Sequence, residues 1–327
     1  MNHSQLENTI FSVQSEKEFF ECSLSVFQYQ YKHNLAYREF IDLLPSFQIN
    51  KIKSVLDFPF LPIQFFKSRE IISTQSNAFT IFESSGTTSE TPSKHFVSDT
   101  RMYEKSFMQS FHKSYGKPEE LCIIGLLPSY LERKNSSLVY MVNHLIGHSQ
   151  NANSQFTLLP DEALIHYLTT SEDPKILFGV TFALLDFADK INAPLKNTII
   201  IETGGMKGRG TELTRYELHD KLSKAFGCAI HSEYGMTELL SQAYMSDKTF
   251  QAPAWMKVLV RDPNDPFAIS SSGKGALNII DLANKDSISF IATDDLGRKC
   301  QDGTFEILGR LDNAEIRGCN LLVHHLS

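Results

Sequence analysis

Three short runs constrain this chain more than anything else in it. Residues 121–127 (LCIIGLL), 175–180 (KILFGV) and 198–202 (TIIIE) are continuous apolar stretches rich in β-branched side chains. The first stops at Pro128-Ser129, the second leads into the helical TFALLDFADKI, and the third stops at Thr203-Gly204-Gly205. Strands buried on both faces read this way, and their alternation with helical segments predicts βαβ units and a largely parallel sheet. Residues 212–226 carry the spacing of an amphipathic helix, and 228–231 predict a further short strand before SEYGMTE. The expected fold class is therefore α/β. In open sheets of this kind ligands bind beyond the strands' C-terminal ends, which points to the loops after Glu83, Glu202 and Glu233.

Organisation changes at both ends. From Gln5 to about Leu44, apolar residues recur at helical spacing (Phe19, Phe20, Leu24, Phe27, then Tyr37, Phe40, Ile41), predicting two or three helices. DFPFLPIQFFKS follows, too apolar for a loose linker and too rich in proline for a regular helix, and is expected to pack extended on the core. From about Trp255 the runs MKVLVRD, GALNIID, SISFIAT and GTFEILG predict a small, mostly antiparallel β subdomain. The expected units are a helical N-terminal segment over 1–72, an α/β domain over 73–312, and a C-terminal tail over 313–327.

Composition excludes little. Of 327 residues, 42% are hydrophobic and 21% charged, as in soluble globular proteins. No apolar run approaches the roughly 20 residues that span a bilayer, and MNHSQLENTIF lacks a signal peptide's cationic start and apolar stretch. A cytoplasmic protein is expected. The net charge of −7 argues against a general nucleic-acid binder, though local basic sites remain open. Cys22, Cys122, Cys228, Cys300 and Cys319 are odd in number and widely spaced, so reduced thiols are expected. Most buried thiols act as small hydrophobes.

Three strings have chemical potential. In FESSGTTSETPSKHF (82–96), the small residues Ser84, Ser85, Gly86, Thr87 and Thr88 could turn backbone N–H groups and hydroxyls toward phosphate oxygens, and Lys94 adds a mobile positive charge. The Walker A spacing is absent, and on composition alone a solvated Ser/Thr turn accounts for the string better. In Ser232-Glu233-Tyr234-Gly235-Met236-Thr237-Glu238 a carboxylate could hold Mg²⁺ and Tyr234 could stack on a base; a plain strand-to-helix turn is the simpler account. In 291–322, Asp294 and Asp295 follow a strand and Arg310 and Asp312 close the next. Paired carboxylates suit ribose hydroxyls, and an arginine suits a phosphate, but a charged hairpin surface has the same residues.

Together, SSGTT…K, YGMTE and TDDLG…DG…E-x-LGR-x-D…RG resemble the adenylate-forming superfamily of acyl-CoA and aryl-CoA ligases, luciferases and nonribosomal adenylation domains. LSVFQYQYKHNLAYREF, FPFLPIQFFKS and a late RGC narrow this to the acyl-protein synthetase (LuxE) family over nearly the whole chain. The resemblance implies that Ser84 to Thr88 and Lys94 contact the phosphates of ATP. It further implies that Tyr234 to Glu238 hold adenine and Mg²⁺, with Glu238 as the metal ligand. Asp295 would bind the ribose, Arg310 would support it, and Asp312 would lie at the hinge between large and small domains. Many superfamily members have glycine where this chain has Ser89.

Full-length superfamily members continue past that hinge by roughly a hundred residues, an ordinary domain's worth, whereas this sequence stops at Ser327. An absent small domain is therefore expected, and with it an acceptor other than free CoA. Cys319 is the expected acyl carrier, two residues from the cationic Arg317, with His324 and His325 nearby as terminal residues that are more often just exposed. The acid implied is fatty, and the partner implied is an acyl-CoA-reductase-type protein. Two other readings remain open: a ligase that uses CoA, and a nucleotide- or acyl-binding subunit without turnover.

Overall fold

The computed structural model describes residues 3–45, 47–74, 79–84, 91–128, 135–204 and 213–311. Ser85 to Thr88, Asp312, Arg317, Cys319, His324 and His325 lie outside these residues.

The chain starts with helices α1 (His3–Phe11), α2 (Glu16–His33) and α3 (Leu35–Asp42). Ser15 and Glu18 close a capping box at the start of α2, satisfying N–H groups that the first turn leaves without partners. The inner face of α2 carries Phe19, Val26, Phe27 and Gln30, all buried. Gln30 Nε2 donates to the carbonyls of Asn284 and Lys285 at 3.1 and 3.0 Å, and its Oε1 accepts from Ser289 N at 3.1 Å. A buried amide satisfied in this way pins the helix to one turn of the core. The proline-rich stretch packs extended in part: β1 (Leu61–Pro62) lies parallel to a strand far along the chain, but its last four residues form the helical turn α4 (Phe65–Ser68). Phe27, Phe58 and Phe60 surround Phe290 at ring distances of 5.9, 4.7 and 6.2 Å.

Next come the hairpin β2 (Thr80–Glu83) and β3 (Lys94–Val97), α5 (Thr100–Tyr115), β4 (Cys122–Leu126), α6 (Ser137–His148), β5 (Gln155–Thr157), α7 (Glu162–Thr170), β6 (Lys175–Val180) and α8 (Thr181–Ala188). The alternation closes with β7 (Thr198–Thr203), α9 (Arg215–Phe226) and β8 (Ala229–Tyr234). As the apolar runs predicted, β5, β4, β6, β7 and β8 are consecutive parallel neighbours. The remaining strands are β9 (Ala243–Met245), β10 (Phe250–Gln251), β11 (Met256–Arg261), β12 (Ile269–Ser270), β13 (Gly273–Asp281), β14 (Phe290–Lys299) and β15 (Phe305–Arg310). They pair antiparallel and join the parallel part through β8 and β9, giving one 13-stranded sheet among the described residues. Asp294 and Asp295, expected after a strand, lie inside β14. Among the described residues no helix is long and apolar enough to cross a membrane.

Candidate functional site

The turn after β8 is where the sequence strings converge. His95 of β3 is fully buried, with its Nδ1 2.7 Å from the Thr237 carbonyl. Because a carbonyl only accepts, Nδ1 carries the proton. Burial pulls this imidazole down to about 4, so it is neutral at ordinary pH. Next to it, Ser93 hydrogen-bonds the carboxyl of Glu238, which is 6% exposed. Burial raises Glu238 above the usual carboxylate range, and the Ser93 bond and the Arg310 charge oppose that rise. Asn284 Nδ2 donates to the Glu238 carbonyl at 2.7 Å. The base of the SSGTT hairpin and the YGMTE turn are therefore one constellation, although about 140 residues separate them in the chain.

The hairpin holds the two ends of its own loop together. Ser84 N donates to the Ser93 carbonyl at 3.0 Å, and Ser93 N to Ser84 Oγ at 2.8 Å. Glu83 faces Lys94 in register, and their charged groups are 3.8 Å apart with the lysine about half exposed. Lys94 is thus at the hairpin's open edge, free to exchange this weak contact for an anion.

The second half of the site is on β14 and β15. Tyr234 donates its hydroxyl to Asp295 Oδ2 at 2.7 Å, and Arg310 Nε is 3.5 Å from Asp295 Oδ1. Asp295 and Arg310 face one another across the strand pair. The adjacent aspartates do not act as a pair. Successive strand residues point to opposite faces, and Asp294 is taken up by Gln64, whose Nε2 lies 2.6 and 2.8 Å from its two oxygens. Tyr234 is 8% exposed and its ring packs on Phe305 and Phe250 at 5.5 and 5.9 Å, so it orients Asp295 rather than presenting an open face to a base.

Not every support had a sequence signal. Asp281, at the end of β13, accepts from Leu240 N at 2.8 Å, Ser241 N at 3.0 Å and Ser241 Oγ at 2.5 Å. It fixes the chain immediately after Glu238, and burial pushes it up to about 6. Glu233, just before the turn, accepts from Thr203 Oγ1 at 2.6 Å and is pushed up to about 7 by burial. A Cβ on Gly235 would sit 2.2 Å from Glu233 Oε1, so a side chain there would displace the Glu233 carboxyl from its place beside the turn. Asp281 had no cue, whereas Glu233 and Gly235 belong to the SEYGMTE run and His95 follows Lys94 directly.

Burial raises Cys22 to about 11 and Cys228 to about 12, and raises Cys122, so these thiols stay protonated and inert. Among the described residues no three His, Cys, Asp or Glu side chains cluster as a metal site. A hard cation held by one carboxylate and by a substrate's phosphate oxygens needs no such cluster, and the buried oxygens of Glu238 fit it.

The fold has known counterparts. The family model described as "Acyl-protein synthetase, LuxE" matches residues 9–326. An open conformation of 2-hydroxyisobutyryl-CoA ligase, in complex with 2-HIB-AMP and CoA, superposes with TM-score 0.65 at 15% identity, over 91% of this chain and 75% of that one. ATP-bound MatB from Rhodopseudomonas palustris superposes with TM-score 0.52 at 18% identity, over 73% of this chain and 49% of that one. The chain thus spans about half the length of MatB. No curated protein matches the sequence. At these identities the two structures show a shared fold alone, while the family model spans nearly the whole sequence: the chain belongs to the acyl-protein synthetase (LuxE) family.

Proposed function

We propose that this chain uses ATP to activate a carboxylic acid as its acyl-adenylate, and then passes the acyl group to the sulfur of Cys319. The observation that carries this reading is the convergence on one turn of Glu238, the Ser93–His95 segment and the Tyr234–Asp295–Arg310 set. The fold likeness to a ligase solved with 2-HIB-AMP and to MatB solved with ATP supports it.

In the first half-reaction an oxygen of the substrate carboxylate attacks the α-phosphorus of ATP. A P–O bond to the acid forms, the P–O bond to pyrophosphate breaks, and charge accumulates on the leaving group. Lys94 at the hairpin edge meets that charge, Ser84 to Thr88 are the phosphate contacts that the family resemblance implies, and Asp295 takes the ribose hydroxyls with Tyr234 and Arg310 fixing its orientation. Gly235, Met236 and Thr237 form the turn that borders the adenine. Glu238 would hold Mg²⁺, which supplies charge neutralisation to the phosphates. In the second half-reaction the Cys319 thiolate attacks the acyl carbon, a C–S bond forms, the C–O bond to AMP breaks and AMP leaves.

The family's description supports a protein acceptor; the further proposal is a fatty acid as substrate, onward transfer to an acyl-CoA-reductase-type partner and a cytoplasmic setting, which the sequence resemblance implies. The fold likeness to a CoA ligase favours one alternative, in which CoA takes the place of Cys319.

Intact-mass measurement after incubation with ATP, Mg²⁺ and a panel of acids tests the reading. The expected result is a hydroxylamine-sensitive gain of one acyl group, absent in Cys319→Ser. Equal gain in that variant, or no gain with any acid, overturns the thioester step; CoA-dependent AMP release that survives the substitution selects the ligase alternative.

A further inference from the structure

Glu238 sits in the stretch 235–242 between β8 and β9, which belongs to neither helix nor strand. Such a stretch has no ladder to take up its buried peptide groups. Three side chains from other elements take them up instead. His95 holds the Thr237 carbonyl and Asn284 Nδ2 the Glu238 carbonyl, each at 2.7 Å, while Asp281 holds the N–H groups of Leu240 and Ser241. Asp281 and Asn284 are the two ends of one short segment, which makes a single 3₁₀ turn over Leu282–Asn284. Asn284 is fully buried, and it is the one that reaches the carbonyl of Glu238 itself.

What places Asn284 is the N-terminal helical segment. Gln30 of α2 donates from Nε2 to the Asn284 and Lys285 carbonyls and accepts at Oε1 from Ser289 N, so one buried amide spans 284–289. Asn34, at the end of the same helix, donates from Nδ2 to the Ser287 carbonyl at 3.0 Å. From α1, Glu7 Oε1 lies 3.1 Å from the Nζ of Lys285, which is fully buried and also meets Asp286 at 2.6 Å. Such groups resist displacement, because moving them strands donors, acceptors and charges away from water. Glu7, Gln30 and Asn34 therefore hold 284–289 on the helices, and the Asn284 side chain holds the Glu238 turn on 284–289. The path from α2 to the turn is two hydrogen bonds long.

We infer that Asn284 and Gln30 are positioning residues for the carboxylate that holds Mg²⁺, with Gln30 setting Asn284 and Asn284 setting Glu238. This rests on the reading of Glu238 as the metal ligand and deepens it, because it makes helix α2 a working part of the metal site. An oxygen ligand of Mg²⁺ must meet a near-ideal octahedral geometry. Hydrogen-bond partners behind a ligand accordingly change metal affinity or activity by about 10–100-fold when they are removed.

The test is calorimetric titration with ATP, once in Mg²⁺ and once in EDTA, with no acid present so that nothing turns over. The ratio of the two dissociation constants reads the metal's contribution. Wild type is expected to bind ATP about tenfold or more tightly in Mg²⁺, and Asn284→Ala, Gln30→Met and Glu238→Gln should each shrink that ratio to within about threefold. Ser15→Ala loosens the start of α2 away from the path, so it should lower the melting midpoint and keep the wild-type ratio. A merely structural role for Asn284 or Gln30 would do the same, weakening the fold or both constants alike. An intact ratio in either variant, with the ratio lost in Glu238→Gln, overturns the inference and leaves Glu238 as the metal ligand. A ratio that survives Glu238→Gln, or that wild type does not show, removes the metal assignment and this inference with it. Should Asn284→Ala not fold, Gln30→Met decides by the same ratio, since methionine keeps about the same length and loses only the hydrogen bonds.

Discussion

Tyr234 and Asp295, 61 residues apart in the chain, share a hydrogen bond of 2.7 Å that joins the last parallel strand to the antiparallel part of the sheet. Burial raises the Asp295 carboxyl, and the Tyr234 bond and the Arg310 charge pull it back toward the ionised form. The tyrosine thus opposes the effect of burial and aims the acceptor. Tyr234→Phe removes only the oxygen. Steady-state exchange kinetics should show the KM for ATP rising by about tenfold, equivalent to about 1.4 kcal/mol, with a much smaller change in kcat. An unchanged KM would mean that Asp295 does not touch the nucleotide.

Lys94 and Glu83, 3.8 Å apart and partly exposed, make a surface ion pair of little worth to the fold. Lys94→Ala should therefore leave the melting midpoint within about 2 °C of wild type and lower the exchange rate by about 10²-fold. Calorimetry and exchange on one preparation check both halves.

Asp281 accepts three hydrogen bonds from Leu240 and Ser241 and a fourth from Ala283 N at 3.2 Å, all in the core. Asp281→Ala strands these donors, and differential scanning calorimetry should show a loss of about 3 kcal/mol or more, or roughly 5–10 °C in midpoint.

Glu233 gives a pH signature. Unfolded, a glutamate ionises near 4.3, but in the fold it holds its proton to about 7. Between those values the folded state binds more protons, so this residue makes stability fall as pH rises through that window, with the loss complete above it. Glu233→Gln removes the titration. Its melting midpoint relative to wild type should rise from pH 5 to pH 8; a constant difference would contradict the assignment.

The contrast among these residues explains what the sequence made legible. The runs 121–127, 175–180 and 198–202 were readable as parallel strands because burial on both faces leaves a continuous apolar record. YGMTE and SSGTT were readable as strings, but the contacts of Ser93 and His95 with Glu238 and Thr237 were not stated by either. Asp281 and Gln64 were not legible, because a buried polar group is explained only by partners such as Leu240 or Asp294, which lie 41 and 230 residues away. Tyr234 was read as a surface for a base since an isolated aromatic beside a turn carries no mark of its neighbours; Phe250 and Phe305, which cover it, come from strands whose pairing the sequence did not state.

Exchange of labelled pyrophosphate into ATP measures, without needing Cys319, whether a carboxylic acid is adenylated at the Glu238 turn. The prediction is exchange that requires an added carboxylic acid, persists in Cys319→Ser and falls by about 10²-fold or more in Glu238→Gln. Exchange that is absent with every acid, or that proceeds equally well in Glu238→Gln, would contradict it.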